Sequence, residues 1–206
     1  AAARSPNPLL WCSIPCAGGS QLMNFSKNKK AGKRKIAKHT AKYRKLWENF
    51  CKVAKAVNAV GGKIAIEWPS GCSYWKESSV IRFLELLGLS KRGVRVDGCM
   101  VGLSDPRTKK PVYKPWTLVT NCDSLRTVFA DARCSRKHPH QQCVGKLAHM
   151  SESYTDEFAR RVHRAWEMDV SLRSSLRGQG GSSKPVSPEA YIRTAIHASA
   201  AMAAPA

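Results

Sequence analysis

Acidic residues are what this chain of 206 residues has fewest of relative to its charge. It carries 14 Asp and Glu against 35 Lys and Arg, and no carboxylate occurs before Glu48. The formal net charge is therefore +21, which excludes a charge-balanced surface. Such an excess calls for a polyanionic partner, a nucleic acid first and an anionic membrane surface second. Long apolar runs are missing too. No stretch of about 18 apolar residues occurs, so no segment has the make-up of a membrane span. Nor does an amphipathic basic helix with an aromatic membrane face stand out, which ranks nucleic acid ahead of membrane. The first residues lack the charged-then-apolar layout of a secretory leader and begin with Ala rather than Met. A processed chain or a partial gene is the expectation. No internal repeat is visible, which argues against a solenoid.

Cysteine is not scarce. Eight cysteines without an export signal read as reduced thiols, and so as a cytosolic or nuclear protein. The length suits one domain with a real core. Residues 1–8 read as disordered, 9–171 as an α/β domain, and 172–206 as a Ser/Gly/Ala-rich linker and tail, with a short Ala-rich helix or disorder beyond Pro188.

Within the domain, Leu9–Ile14 reads as a buried strand followed by a Gly-rich loop, Pro15–Ser20. A basic stretch over 27–45 merges into a helix with Tyr43, Trp47, Phe50, Ala54 and Val57 on one face. Gly61-Gly62 ends it, and Lys63–Glu67 reads as the second strand. Ser79 is placed to cap a second helix that buries Ile81, Phe83, Leu84 and Leu87, with Gly88 just past its end. Val94–Asp97 and Trp116–Thr120 read as strands, and Asp123 as the cap of a short helix through Phe129. Residues 131–150 read as irregular and rich in Cys and His. A last helix starts at Ser153 or Thr155, with Phe158, Val162 and Trp166 on one face. Strand, helix, strand, helix, strand and a returning strand make the back half of a doubly wound α/β sheet.

In such sheets, chemistry sits at the carboxyl ends of parallel strands. Two segments fall there, Ser13-Ile14-Pro15-Cys16 and Ile66-Glu67-Trp68-Pro69-Ser70-Gly71. They offer one thiol and one carboxylate. A third segment follows: Asp97-Gly98-Cys99 with Gly102, then Tyr113-Lys114-Pro115-Trp116-Thr117-Leu118 and Thr120-Asn121. In order and spacing the three together resemble the catalytic core of the DNA cytosine-5 methyltransferases, in particular divergent members borne by phages and transposons. The resemblance covers roughly residues 9–170 and departs from the family in detail. Pro15-Cys16-Ala17 stands where Pro-Cys-Gln is usual, and Glu67-Trp68-Pro69 where Glu-Asn-Val is usual.

The resemblance implies a class I methyltransferase-like, Rossmann-type fold. It makes Cys16 the nucleophile that adds to C6 of a flipped cytosine, and Glu67 the group that holds the base at N3 and the exocyclic amine. Lys114 falls where the family tends to put a basic residue that supports the base or the backbone. S-adenosylmethionine is the implied methyl donor. The strand and Gly-rich turn that would cradle it do not precede Leu9, and Gly18-Gly19 opens no helix that would replace them. The expectation is a catalytic half, inactive unless a second chain supplies the donor pocket.

The basic stretch has a bland reading as a solvated loop above a helix. The functional reading, preferred here, is a phosphate-binding segment built on Lys33, Arg34, Lys35, Lys38 and Lys42. Its partner is then a nucleic acid, DNA before RNA. Cys134, His138, His140 and Cys143 form a compact cluster of ligands suited to tetrahedral zinc, against the plainer reading of a basic loop with surface histidines. Cys12 and Cys16 are discounted as a metal pair. The competing function is a basic nucleic-acid-binding protein, derived from a mobile element, that performs no chemistry. A ribosomal or chromatin-associated role leaves the two strand ends without a purpose.

Overall fold

The structure is a computed structural model that describes residues 8–20 and 30–178. Expectations for residues 1–7, for Lys27 and Lys29, and for the chain beyond 178 lie outside those residues.

Four strands make one open sheet: β1 (Leu9–Cys12), β2 (Lys63–Pro69), β3 (Gly93–Asp97) and β4 (Pro115–Thr120). Their order is β1-β2-β4-β3. β1 and β2 run parallel, with Leu9 opposite Lys63 and Cys12 opposite Ile66. β4 is antiparallel to both of its neighbours, so the returning strand lies between β2 and β3. The sheet is thus mixed, where the back half of a doubly wound sheet was expected. The α/β class stands.

Strand β2 is central and almost wholly buried, which explains its continuous apolar run. Its side chains alternate between the faces. Ile64, Ile66 and Trp68 enter one core, where α1 (Lys30–Ala59) and α2 (Ser78–Leu86) pack. Ala65 enters the other, with Leu118, Trp116, Phe129 and Phe158. α3 (Asp123–Val128) and α5 (Asp156–Gly178) cover that second face. Helices therefore flank both sides of the sheet. None among the described residues is long and apolar enough to cross a membrane.

Several boundaries differ from expectation. β1 stops at Cys12, and a 3-10 turn spans Ala17–Gly19, so Cys16 sits in the connection between them. Glu77 rather than Ser79 precedes α2, and Val80 takes the buried place expected of Ile81, which is exposed. Val80, Phe83, Leu84 and Leu87 are the i, i+3, i+4, i+7 set that faces the core. Gly88 follows at φ +65°, a left-handed position that a glycine takes without steric cost. Asp123 is the first residue of α3, and Cys122 holds the cap position. Thr155, not Ser153, caps α5, since its hydroxyl accepts from the Phe158 amide at 3.1 Å. α5 continues through Gly178, past the linker boundary expected at 172. The 131–150 segment is irregular until a short helix, α4 (Lys146–Met150).

Candidate functional site

The basic stretch proves to be helix from Lys30 onward. Tyr43, Trp47, Ala54 and Val57 are its buried positions, and Phe50 and Cys51 pack beside them. At 3.6 residues per turn, Arg34, Lys35, Lys38 and Lys42 occupy an arc of about 100° roughly opposite that stripe. Lys33 lies to one side of the arc, and all five cations are exposed. Among the described residues, no carboxylate pairs with any of them. The first ion pair along the helix is Arg44 with Glu77 at 3.9 Å.

This helix touches the Cys16 loop. A side chain at Gly18 would meet the Tyr74 hydroxyl at 2.6 Å and the Thr40 amide at 3.1 Å. One at Gly19 would meet the Cys72 sulfur at 2.8 Å. The two glycines exist so that the loop can lie flat between α1 and the turn after β2. That turn, Ser73–Lys76, puts Cys72 against Cys16. The Cys72 thiol hydrogen-bonds to Cys16 and, together with the Lys114 ammonium, holds the Cys16 thiol below its ordinary range. Cys72 moves the opposite way, because its proton is the one shared.

Glu67 lies across the strand end, on the other face of the sheet. Its side chain is 6% exposed. The Tyr154 hydroxyl donates to Oε2 at 2.5 Å, and Trp11 Nε1 donates in turn to the Tyr154 oxygen at 3.1 Å. Oε1 is buried and has no hydrogen-bond partner among the described residues. Burial pushes the Glu67 carboxyl up to about 7, against the Tyr154 hydrogen bond and the Lys114 charge, which both lower it. The carboxyl is therefore poised between its neutral and charged forms near neutral pH.

Lys114 is the cation common to both groups. It sits just before β4, where Nζ donates to the Ser151 carbonyl at 2.6 Å and hydroxyl at 3.1 Å. The same nitrogen lies 5.6 Å from the centre of the Trp116 ring. Ser151 is also the neighbour of Cys143, whose sulfur is 3.2 Å from the serine hydroxyl.

The expected zinc ligands are brought together only in part. Cys134, His138 and His140 converge, but Cys143 belongs to the Ser151 contact instead. Cys99 takes the fourth place, and the four ligand atoms lie within 4.8 Å of one another. The cause is topological. Cys99 lies in the 3-10 turn Gly98–Val101 after β3, and Asp97 accepts from the Cys134 amide at 2.8 Å. The loop is thereby tied to the end of β3. This Cys/His cluster could hold a metal ion.

Cys72, Cys99, Tyr154 and Trp11 were not among the expected site residues. Cys99 carried a signal in lying within a singled-out segment, and Cys72 directly follows one, Ile66–Gly71. Tyr154 carried none, because it reaches Glu67 across 87 residues of sequence. Gly18 and Gly19 are not placed to cradle S-adenosylmethionine. The glycine pair after β1 is filled by Tyr74, Cys72 and α1, which leaves no cradle there, and no step below runs through that cofactor.

Compared with family models, with curated proteins and with solved structures, the chain matches none.

Proposed function

We propose that this protein binds a nucleic acid along the basic face of α1 and holds a cytosine base at the strand ends of β1 and β2. There Cys16 adds to the base while Glu67 grips its Watson–Crick edge. The observation that carries this reading is the Glu67 carboxyl. It is buried, pushed up to about 7 and, among the described residues, satisfied on Oε2 alone. A buried polar atom without a partner is costly, so Oε1 is best explained by a ligand that completes it. The neutral carboxyl donates a proton to an acceptor such as cytosine N3. The two edges of the site are then chemically complementary, with an acid on one and an activated thiol on the other.

The step balances without a cofactor. The Cys16 thiolate forms a bond to C6, and the C5=C6 electron pair moves into the ring as N3 takes the Glu67 proton. C5 then accepts a proton from water. The hydroxide so formed removes the original C5 proton, and expulsion of the thiolate then restores cytosine and returns the N3 proton to Glu67. The net result is exchange of the C5 hydrogen with solvent.

The test uses the full chain and DNA labelled with deuterium at cytosine C5. Wild-type protein should wash the label out, and Cys16→Ser should stop the exchange while leaving salt-dependent binding within about twofold. Binding without any exchange in wild-type protein would overturn the chemical part of the proposal. It would leave a basic nucleic-acid-binding protein that performs no chemistry.

A further inference from the structure

We infer that Cys99, Cys134, His138 and His140 bind one Zn²⁺ ion in a closed, tetrahedral, structural site. The inference is independent of the chemistry proposed at Cys16, since none of the four residues takes part in it. Zn–S bonds of about 2.3 Å and Zn–N bonds of about 2.05 Å, at tetrahedral angles, put sulfur and nitrogen about 3.6 Å apart. The Cys134 sulfur lies 3.5 Å from His140 Nε2 and 3.8 Å from His138 Nε2. Those separations are what four-coordinate zinc requires. Both histidines offer the same nitrogen, and their rings are inclined by 51° with centroids 4.3 Å apart.

The donor set points the same way. Two thiolates and two neutral imidazoles leave a Zn²⁺ site with no net charge, which suits a chain already strongly cationic. Thiolate with imidazole selects zinc over the hard cations calcium and magnesium. With four protein ligands no position is left for water or substrate, so the ion is structural rather than catalytic.

The surroundings are built for a thiolate. The Arg136 amide donates to the Cys134 sulfur at 3.2 Å. Arg136 reaches that position at φ +61°, a left-handed conformation unusual for an arginine. Its guanidinium lies 4.7 Å from the Tyr113 ring centre, and Tyr113 in turn meets the His140 ring edge-on at 5.3 Å. Backbone bonds bring the two halves together before any ion arrives. The Asp97 amide donates to the Ala132 carbonyl at 2.8 Å, and the Asp97 carboxylate accepts from the Cys134 amide. The ion would thus pin an irregular loop to the end of β3, which pairs with β4 beside Lys114. The Gly98 amide already donates to the Lys114 carbonyl at 2.9 Å.

The experiment loads purified protein with Zn²⁺ alone and removes the excess by gel filtration. Metal content by mass spectrometry should be one ion per chain, and zinc-edge X-ray absorption should show two sulfur and two nitrogen ligands. Cys143→Ser should keep the ion. Cys99→Ser and His140→Ala should each lose at least about tenfold in affinity against a competing chelator, the loss that changes outside the ligand set alone can cause. No bound zinc in the wild-type protein would overturn the inference. So would retention by Cys99→Ser with loss by Cys143→Ser. The absorption spectrum of the wild-type protein decides the ligand count even where a variant fails to fold.

Discussion

At the end of β2, burial sets the sign of the pH dependence of folding. Glu67 titrates near its ordinary 4.5 in the unfolded chain and at about 7 in the fold. Between those values the folded protein binds the extra proton. The contribution of this carboxyl is complete below pH 4.5 and is lost as pH rises through 7. The difference corresponds to about 3 kcal/mol at most. Urea unfolding of the wild type should therefore fall in stability from pH 5 to pH 8 by up to that amount. Glu67→Gln, which is neutral at every pH, should lack this fall, so that the two curves diverge between pH 5 and pH 8; parallel curves would show that Glu67 is solvated. That Cys16 and Glu67 each follow a short apolar run was visible in the sequence. The place of Tyr154 was not, because no local pattern marks a side chain whose partner is supplied by the sheet.

Among the elements, α1 was the most legible and α2 the least well placed. Tyr43, Trp47, Phe50, Ala54 and Val57 form a helical stripe over four turns, and the helix buries it. In α2 the short run 80–87 fits two stripes, and only packing decides that Val80 rather than Ile81 joins Phe83, Leu84 and Leu87 on the inner face. The opposite face of α1 is where nucleic-acid affinity should reside. Each phosphate neutralised on duplex DNA adds about 0.9 to the slope of log affinity against log salt. Changing Lys35, Lys38 and Lys42 together to alanine should lower that slope by about 2 to 3 while leaving the urea midpoint within about 0.5 kcal/mol of wild type. An unchanged slope would move the interface off this helix.

On the scale of the whole molecule, the strand-and-helix alternation was enough to place the chain in the α/β class. It was not enough to orient the last strand. β4 connects to β3 through a long excursion, and only its pairing with both β2 and β3 makes it antiparallel. The same excursion carries Cys99 toward Cys134, which sequence spacing alone assigned to Cys143. The acid-poor opening of the chain has one more consequence, through α1. Lys30, Arg34, Lys38 and Lys42 stand four residues apart, so each repels the next across one helical turn. The buried positions begin only at Tyr43, so little tertiary packing offsets that repulsion. Screening ions relieve it. Backbone amides over residues 34–42 should therefore exchange more slowly with solvent deuterium as salt is raised, while amides under the Trp47 stripe stay unchanged. Salt then acts on this one helix in two opposite senses, tightening its coil while loosening its hold on a polyanion.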